Sequence, residues 1–223
     1  MIDLRGKLDV FIITNGRSTF PYCKKSIEKQ KNVKINVTLI ENMEWLDANR
    51  KILADCKSEF FLRVDDDMLL NSNALNFMWD VVSKESKNVA LRSWLLWEPY
   101  SDKVCRGIKI YTHSIASKLG FNISKLGKID KVFAKALVKT SYKRKKHKDI
   151  LAIHSCSTVQ EHIAYAYMRG EQNGPDFKKE KKWMKKSISN CRYDLPQQYD
   201  MSDKFLYNLN KKSKTDFYKF CVR

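Results

Sequence analysis

Continuous apolar runs alternate with stretches whose apolar residues recur every three or four positions through the first half of this chain. Leu8 to Asn15, LDVFIITN, is rich in β-branched residues and closed by Gly16. A run that is apolar on both faces predicts a strand buried in the middle of a sheet. Ser18 is placed to cap a helix over about 19–31, and Val33 to Asn42 reads as a second strand. Trp45, Ala48, Ile52 and Leu53 then recur at helical spacing, and Glu59 to Val64, EFFLRV, is a third strand that runs straight into Asp65, Asp66 and Asp67. A helix over Asn73 to Lys84 and a strand over Asn88 to Ser93 continue the alternation. The pattern predicts an α/β domain with a mainly parallel central sheet flanked by helices.

From Trp94 the pattern loosens. WLLWEPYSDKVCRG reads as a long loop or a hairpin, GIKIYTHSIASKLG as a strand and then a helix, and Ile129 to Lys139 as a further helix. Asp149 to Ser155 is another strand, followed by a helix over about 159–169. No internal repeat and no Gly/Ser linker divides the chain. The expected organisation is one domain over 1–172, in two halves over about 1–93 and about 94–172, and a basic helical extension over 173–223 packed on it.

Composition adds little to this until charge is counted. The formal net charge is +18, concentrated in YKRKKHK and FKKEKKWMKK of the second half. Such an excess attracts polyanions. A solvated face and an anionic membrane surface fit it about equally, and nucleic acid fits it less well. No apolar run approaches the roughly 18 residues of a membrane span, and the opening stretch is too short for a signal peptide. The expectation is a cytosolic protein, peripheral at the inner membrane face. The six cysteines are scattered without a C-x-x-C pair, which predicts free thiols rather than zinc ligands or disulfides.

The acidic triplet is where the chemistry concentrates. Three adjacent carboxylates repel one another and raise each other's pKa unless a cation neutralises them. At the carboxyl end of a sheet strand they stand where open α/β sheets bind ligands. On an extended path Asp65 and Asp67 project to one side and Asp66 to the other, so the first and third can share Mn²⁺ or Mg²⁺ while the middle one faces a sugar hydroxyl. The plainer alternative is an acidic turn capping the next helix.

VFIITNG, VTLIEN, a helix holding Asn49 and Arg50, and FFLRVDDDMLL, in that order, resemble the GT-A glycosyltransferases of the family-2-like kind, over about residues 8–170. VDDDM is similar to their D-x-D motif. The resemblance implies a metal-dependent transfer of sugar from a UDP- or GDP-sugar to a glycan or lipid-linked glycan. It places Thr14, Asn15, Arg17, Glu41, Asn42, Asn49, Asp65 and Asp66 around the nucleotide sugar, and Asp65, Asp67 and His154 at the cation. It implies an inverting reaction whose base is a carboxylate opening the helix before the last core strand. Asp130 stands in a similar place, although Ile129 replaces the glutamate expected beside it, and Glu98 in WEPY competes for the role.

Each of these residues also has an ordinary structural reading. Asn15-Gly16 is a common turn pair, Asn42 can cap a helix, Asp130 favours a helix start by dipole alone, and His154 can be core, as can Trp94 and Trp97, whose faces would otherwise stack on sugar rings at the acceptor side. Two other functions remain open at this point. A sugar nucleotidyltransferase would carry a glycine-rich loop after the first strand, where only NGRSTFP stands. A non-catalytic basic module for nucleic acid or membrane explains the charge but not the acids crowning an apolar strand.

Overall fold

The computed structural model describes residues 1–98, 103–120 and 129–154, with the side chains of 98, 103 and 129–132 left aside. The chain opens with β1 (Ile2–Asp3), β2 (Leu8–Thr14), α1 (Phe20–Glu28), β3 (Val33–Lys34), β4 (Asn36–Glu41), α2 (Trp45–Asp55) and β5 (Phe60–Asp65). There follow β6 (Leu69–Leu70), α3 (Ala74–Val82), β7 (Val89–Glu98), β8 (Lys103–Thr112), α4 (His113–Leu119), α5 (Ile129–Val138) and β9 (Lys143–Ile153).

Seven strands form the main sheet in the order β4-β2-β5-β8-β7-β9-β6. The expected helix-flanked α/β architecture is present, and its strands are mixed in direction. β4, β2 and β5 run parallel, as do β7 and β9, while β8 is antiparallel to both its neighbours and β6 to β9. The antiparallel part comes from WLLWEPYSDKVCRG, which is the hairpin of the two sequence alternatives: β7 continues through Trp97 and pairs with β8.

Side chains alternate across this sheet into two cores. Val10, Ile12, Leu62 and Val64 face one cluster with Cys23 and Ile27 of α1 and Leu75 and Met78 of α3. Phe11, Ile13 and Phe61 face the other, with Ala48 and Ile52 of α2, Ile115 of α4 and Phe133 and Leu137 of α5. Burial of β2 on both faces is what its uninterrupted apolar run requires, and all seven of its residues are buried. Trp94 and Trp97 are core as well, at 0% and 5% exposure.

Two local details differ from the sequence reading. Helix α1 is shorter than expected and is capped at Thr19 rather than Ser18, with no side-chain capping bond and with Pro21 in its first turn. A proline there gives up an amide that has no helical partner anyway. β9 begins at Lys143, ahead of the expected start at Asp149, so the basic run KRKKHK is part of the strand. The stretch beyond His154, which includes the expected helix over 159–169 and the basic extension over 173–223, lies outside the described residues.

Candidate active site

β5 carries the chain to the carboxyl end of the sheet with Asp65 as its last residue. The extended path stops there, because the Met68 amide donates to the Asp65 carbonyl at 3.0 Å and closes a turn through Asp66 and Asp67. The three carboxylates therefore point in different directions, Asp66 and Asp67 sharing Arg17 while Asp65 meets Arg63. The alternative in which they cap the next helix does not hold, since α3 begins at Ala74 with Asn73 in the cap position.

Asp66 turns back onto the end of β2. Its Oδ2 accepts hydrogen bonds from Thr14 Oγ1 at 2.7 Å and from the Asn15 amide at 3.2 Å, and the residue is 4% exposed. The Gly16 amide in turn donates to Thr14 Oγ1 at 3.0 Å. Gly16 sits at φ +78°, a conformation that strains any residue with a Cβ, so the glycine lets the loop fold over and bring Arg17 back toward the acids. Arg17 donates from a guanidinium NH to Asp67 Oδ2, and its Nε lies 3.6 Å from Asp66 Oδ1. On the other side of Asp67, His154 Nε2 lies 3.6 Å from Oδ1. His154 is delivered there by β9, its amide bonded to the Trp97 carbonyl at 2.8 Å.

Asp65 shares a strand face with Arg63, as residues two apart must. Arg63 Nε is 3.8 Å from Asp65 Oδ1. A hydrogen bond to Asn49 Oδ1 at 3.0 Å and a stacking position 4.4 Å over the Trp45 ring orient this arginine, which is buried to 5% exposure. Asn49 itself is 1% exposed and donates to the Trp45 carbonyl at 2.6 Å, which places it behind Arg63. Lys109 of β8 stands opposite Arg63 in the ladder and is 7% exposed. Two cations facing each other across a ladder repel, but both act on Asp65. Burial pushes the Asp65 carboxyl above its ordinary value, Arg63 and Lys109 pull it down, Asp67 pushes it up, and the net direction is upward.

The neighbouring loop ends are stitched together. Asn42 has φ +50° and donates its amide to the Thr14 carbonyl at 3.0 Å, while Glu41 ends β4 exposed. Asn42 is not the cap of α2, whose cap position is Glu44. Cys23 lies under the acids, its Sγ 3.5 Å from the Asp65 carbonyl. Burial raises the pKa of that thiol far above the usual range and the three aspartates raise it further, so it is an inert neighbour. Cys56 and Cys105 are free thiols as well. The side chains of Glu98 and Asp130, the two candidate bases, lie outside the described residues.

The structure thus gathers Thr14, Asn15, Arg17, Asp65, Asp66, Asp67 and His154 at one end of the sheet. Arg63 and Lys109 are the members the sequence reading missed. A signal existed for the first, since an arginine two positions before Asp65 on a strand must face the same way.

Whether this arrangement suits a divalent cation turns on its oxygens. Among the described residues, no three carboxylate, histidine or cysteine side chains converge as a ready cage. Two oxygens are nonetheless buried and lack a hydrogen-bond partner: Asp65 Oδ1 and Asp67 Oδ1. Buried polar atoms normally have partners. Mg²⁺ and Mn²⁺ are commonly held by one or two carboxylates, with water and phosphate oxygens completing the shell. The donor set fits a cation that arrives with a phosphate ligand.

No protein-family model matches this chain, and no curated protein matches it in sequence. Solved structures match it in fold. One is the mannosyltransferase PcManGT from Pyrobaculum calidifontis in complex with GDP-Man and Mn²⁺, with a TM-score of 0.54 over 98% of this chain and 82% of that one, at 12% identity. Another is S. aureus TarS 1–349 in complex with UDP, with a TM-score of 0.53 over 97% of this chain and 75% of that one, at 13% identity. TarS 1–349 matches also at 0.52, over 82% and 71% of the two chains and 11% identity. The chain has the GT-A fold.

Proposed function

We propose that this chain is a glycosyltransferase that moves a sugar from a nucleoside-diphosphate sugar to a glycan or lipid-linked glycan, with Asp65 and Asp67 holding the diphosphate through Mn²⁺ or Mg²⁺. The observation that carries the reading is the pair of buried oxygens without a hydrogen-bond partner, Asp65 Oδ1 and Asp67 Oδ1, at the carboxyl end of a central strand. Two proteins of the same fold support it, one solved with GDP-Man and Mn²⁺ and one with UDP.

A cation bound there would supply Lewis acidity to the departing diphosphate. The chain's own residues do the rest. Thr14, Asn15 and Asp66 fix the loop after β2, so that nucleoside laid across it meets a preorganised surface and not a mobile one. Asn42, tied to the Thr14 carbonyl, and Glu41 beside it are placed to bond the base or ribose. Arg63 and Lys109 keep positive charge behind Asp65, where negative charge develops on the leaving group. The acceptor hydroxyl loses its proton to a carboxylate, Asp130 or Glu98, as its oxygen attacks from the face opposite the diphosphate, which inverts the anomeric centre.

The basic strand segment Lys143 to Lys148, largely exposed, suits an enzyme peripheral to an anionic membrane face. Among the described residues, no helix is long and apolar enough to cross a membrane.

Thermal-shift measurement against UDP, GDP, CDP and dTDP, each with and without Mn²⁺, tests the reading. Ligand that binds only the folded state raises the midpoint with the logarithm of its excess over Kd. One nucleoside diphosphate should raise it in Mn²⁺ alone, and Asp65→Ala should lose that response. A response indifferent to both metal and Asp65 would overturn the cation grip.

A further inference from the structure

The charge balance of the acidic turn bears on how a cation gets in. Asp67 is 7% exposed, and one of its oxygens has no hydrogen-bond partner. The other oxygen is taken by Arg17, whose side chain is 34% exposed and reaches over from the loop between β2 and α1. The guanidinium spans two carboxylates, bonded to Asp67 Oδ2 and 3.6 Å from Asp66 Oδ1. It thereby does for the turn what a metal ion would do, which is to neutralise adjacent like charges.

We propose that Arg17 is the resting counter-ion of Asp67, the carboxylate that would take the cation, so that the Arg17–Asp67 pair and a divalent ion on Asp67 exclude one another, and that the displaced guanidinium passes to the diphosphate. The inference rests on the cation-dependent reading above and concerns how that same site is regulated.

Three features of the structure argue for exchange and not for a fixed ion pair. Arg17 stands on a loop and is partly exposed, so its long side chain can swing without disturbing the core. Asp66, by contrast, is anchored by Thr14 and Asn15, and keeps the turn in shape whichever partner Asp67 has. Lastly, a guanidinium and a doubly charged ion on one carboxylate repel each other at contact distance, whereas a guanidinium released beside a diphosphate finds the planar, two-pronged acceptor that arginine binds best. The consequence is a site that resists bare metal and accepts metal together with a nucleoside diphosphate.

Isothermal titration of the full chain with Mn²⁺ alone, and again in the presence of UDP or GDP, tests this. Arg17→Ala should bind Mn²⁺ alone about tenfold more tightly than the wild type, a difference of about 1.4 kcal/mol. It should bind the nucleoside diphosphate less tightly at saturating Mn²⁺. Arg17→Gln keeps most of the length and an amide donor but no charge, and should show the same two changes, which keeps the test valid where alanine impairs folding. A crystal structure with Mn²⁺ should show the Arg17–Asp67 contact broken. Equal Mn²⁺ affinity in wild type and both variants, or Arg17 still on Asp67 beside bound Mn²⁺, overturns the exchange and leaves the transferase reading standing. Failure of every protein to bind Mn²⁺, with or without nucleotide, overturns both.

Discussion

Asp9 shows how a single buried acid sets up the strand that bears the site. It lies near the start of β2 at 6% exposure, and its Oδ2 accepts hydrogen bonds from the amides of Lys57 and Ser58 at 2.9 and 3.0 Å. Those amides belong to the segment leading into β5, so Asp9 ties down the entry to the strand whose far end is Asp65. Burial alone would raise the Asp9 pKa, but the Lys57 and Ser58 amides and the more distant Asn36 amide outweigh it and hold the carboxyl below its ordinary 3.8. A carboxyl whose folded pKa is depressed contributes stability that is present above the unfolded value and is lost as pH falls through the folded one. Asp9→Ala strands two amides and should cost about 1–3 kcal/mol in urea unfolding at neutral pH. Asp9→Asn should flatten the fall in stability below about pH 4 relative to the wild type, as urea midpoints measured across that range will show.

At the scale of elements, the β7–β8 hairpin decides how the second half of the sheet is built. Its pairing shifts register between Ser93 and Leu95, and Gly107 lies on β8 in this stretch. An added Cβ at Gly107 would come within 1.7 Å of Leu96 Cδ1 and 2.8 Å of its Cγ, and Leu96 is fully buried. Glycine is required here by close approach, not by a special backbone angle. Gly107→Ala should therefore overpack this core and destabilise the protein by about 1–3 kcal/mol, measured by denaturant unfolding with the slope unchanged. The same hairpin extends β7 to Trp97, the residue whose carbonyl holds the His154 amide, so packing at Gly107 reaches the site through one strand.

Over the whole molecule, Glu85 joins parts that the sequence keeps far apart. Its side chain is 7% exposed and meets Arg92 Nε at 2.8 Å, Lys145 Nζ at 3.2 Å and His147 Nε2 at 3.4 Å. Arg92 is 1% exposed and also donates to the Val89 carbonyl and to Thr112 Oγ1, which links β7 with β8, while Lys145 and His147 belong to β9. Part of the basic run is thus committed internally. Glu85→Gln leaves the buried guanidinium uncompensated and should cost about 3–5 kcal/mol by thermal or urea unfolding. His147, stacked on Trp94 at 4.6 Å, is held below its ordinary pKa of 6.5 by burial, with Glu85 pulling the other way. Its contribution to stability is complete above 6.5 and declines as pH falls through the folded value.

Periodicity alone determined the order of the longer elements β2, α1, β4, α2, β5 and α3, though not the two-residue strands β1, β3 and β6, together with the burial of β2 and the position of the acids at a strand end, because these follow from which residues must leave water. Thr14, Asn15 and Arg17 became candidates through the resemblance to the GT-A glycosyltransferases and not through the periodicity. Tertiary structure alone decided the mixed strand directions, the hairpin between β7 and β8, and which partners the three aspartates meet. Those outcomes depend on contacts between residues distant in sequence: Asp66 with Thr14, Arg63 with Asn49, His154 with Asp67. A one-dimensional pattern records how each residue ranks against water, and it carries no measure of which buried charge will find which partner.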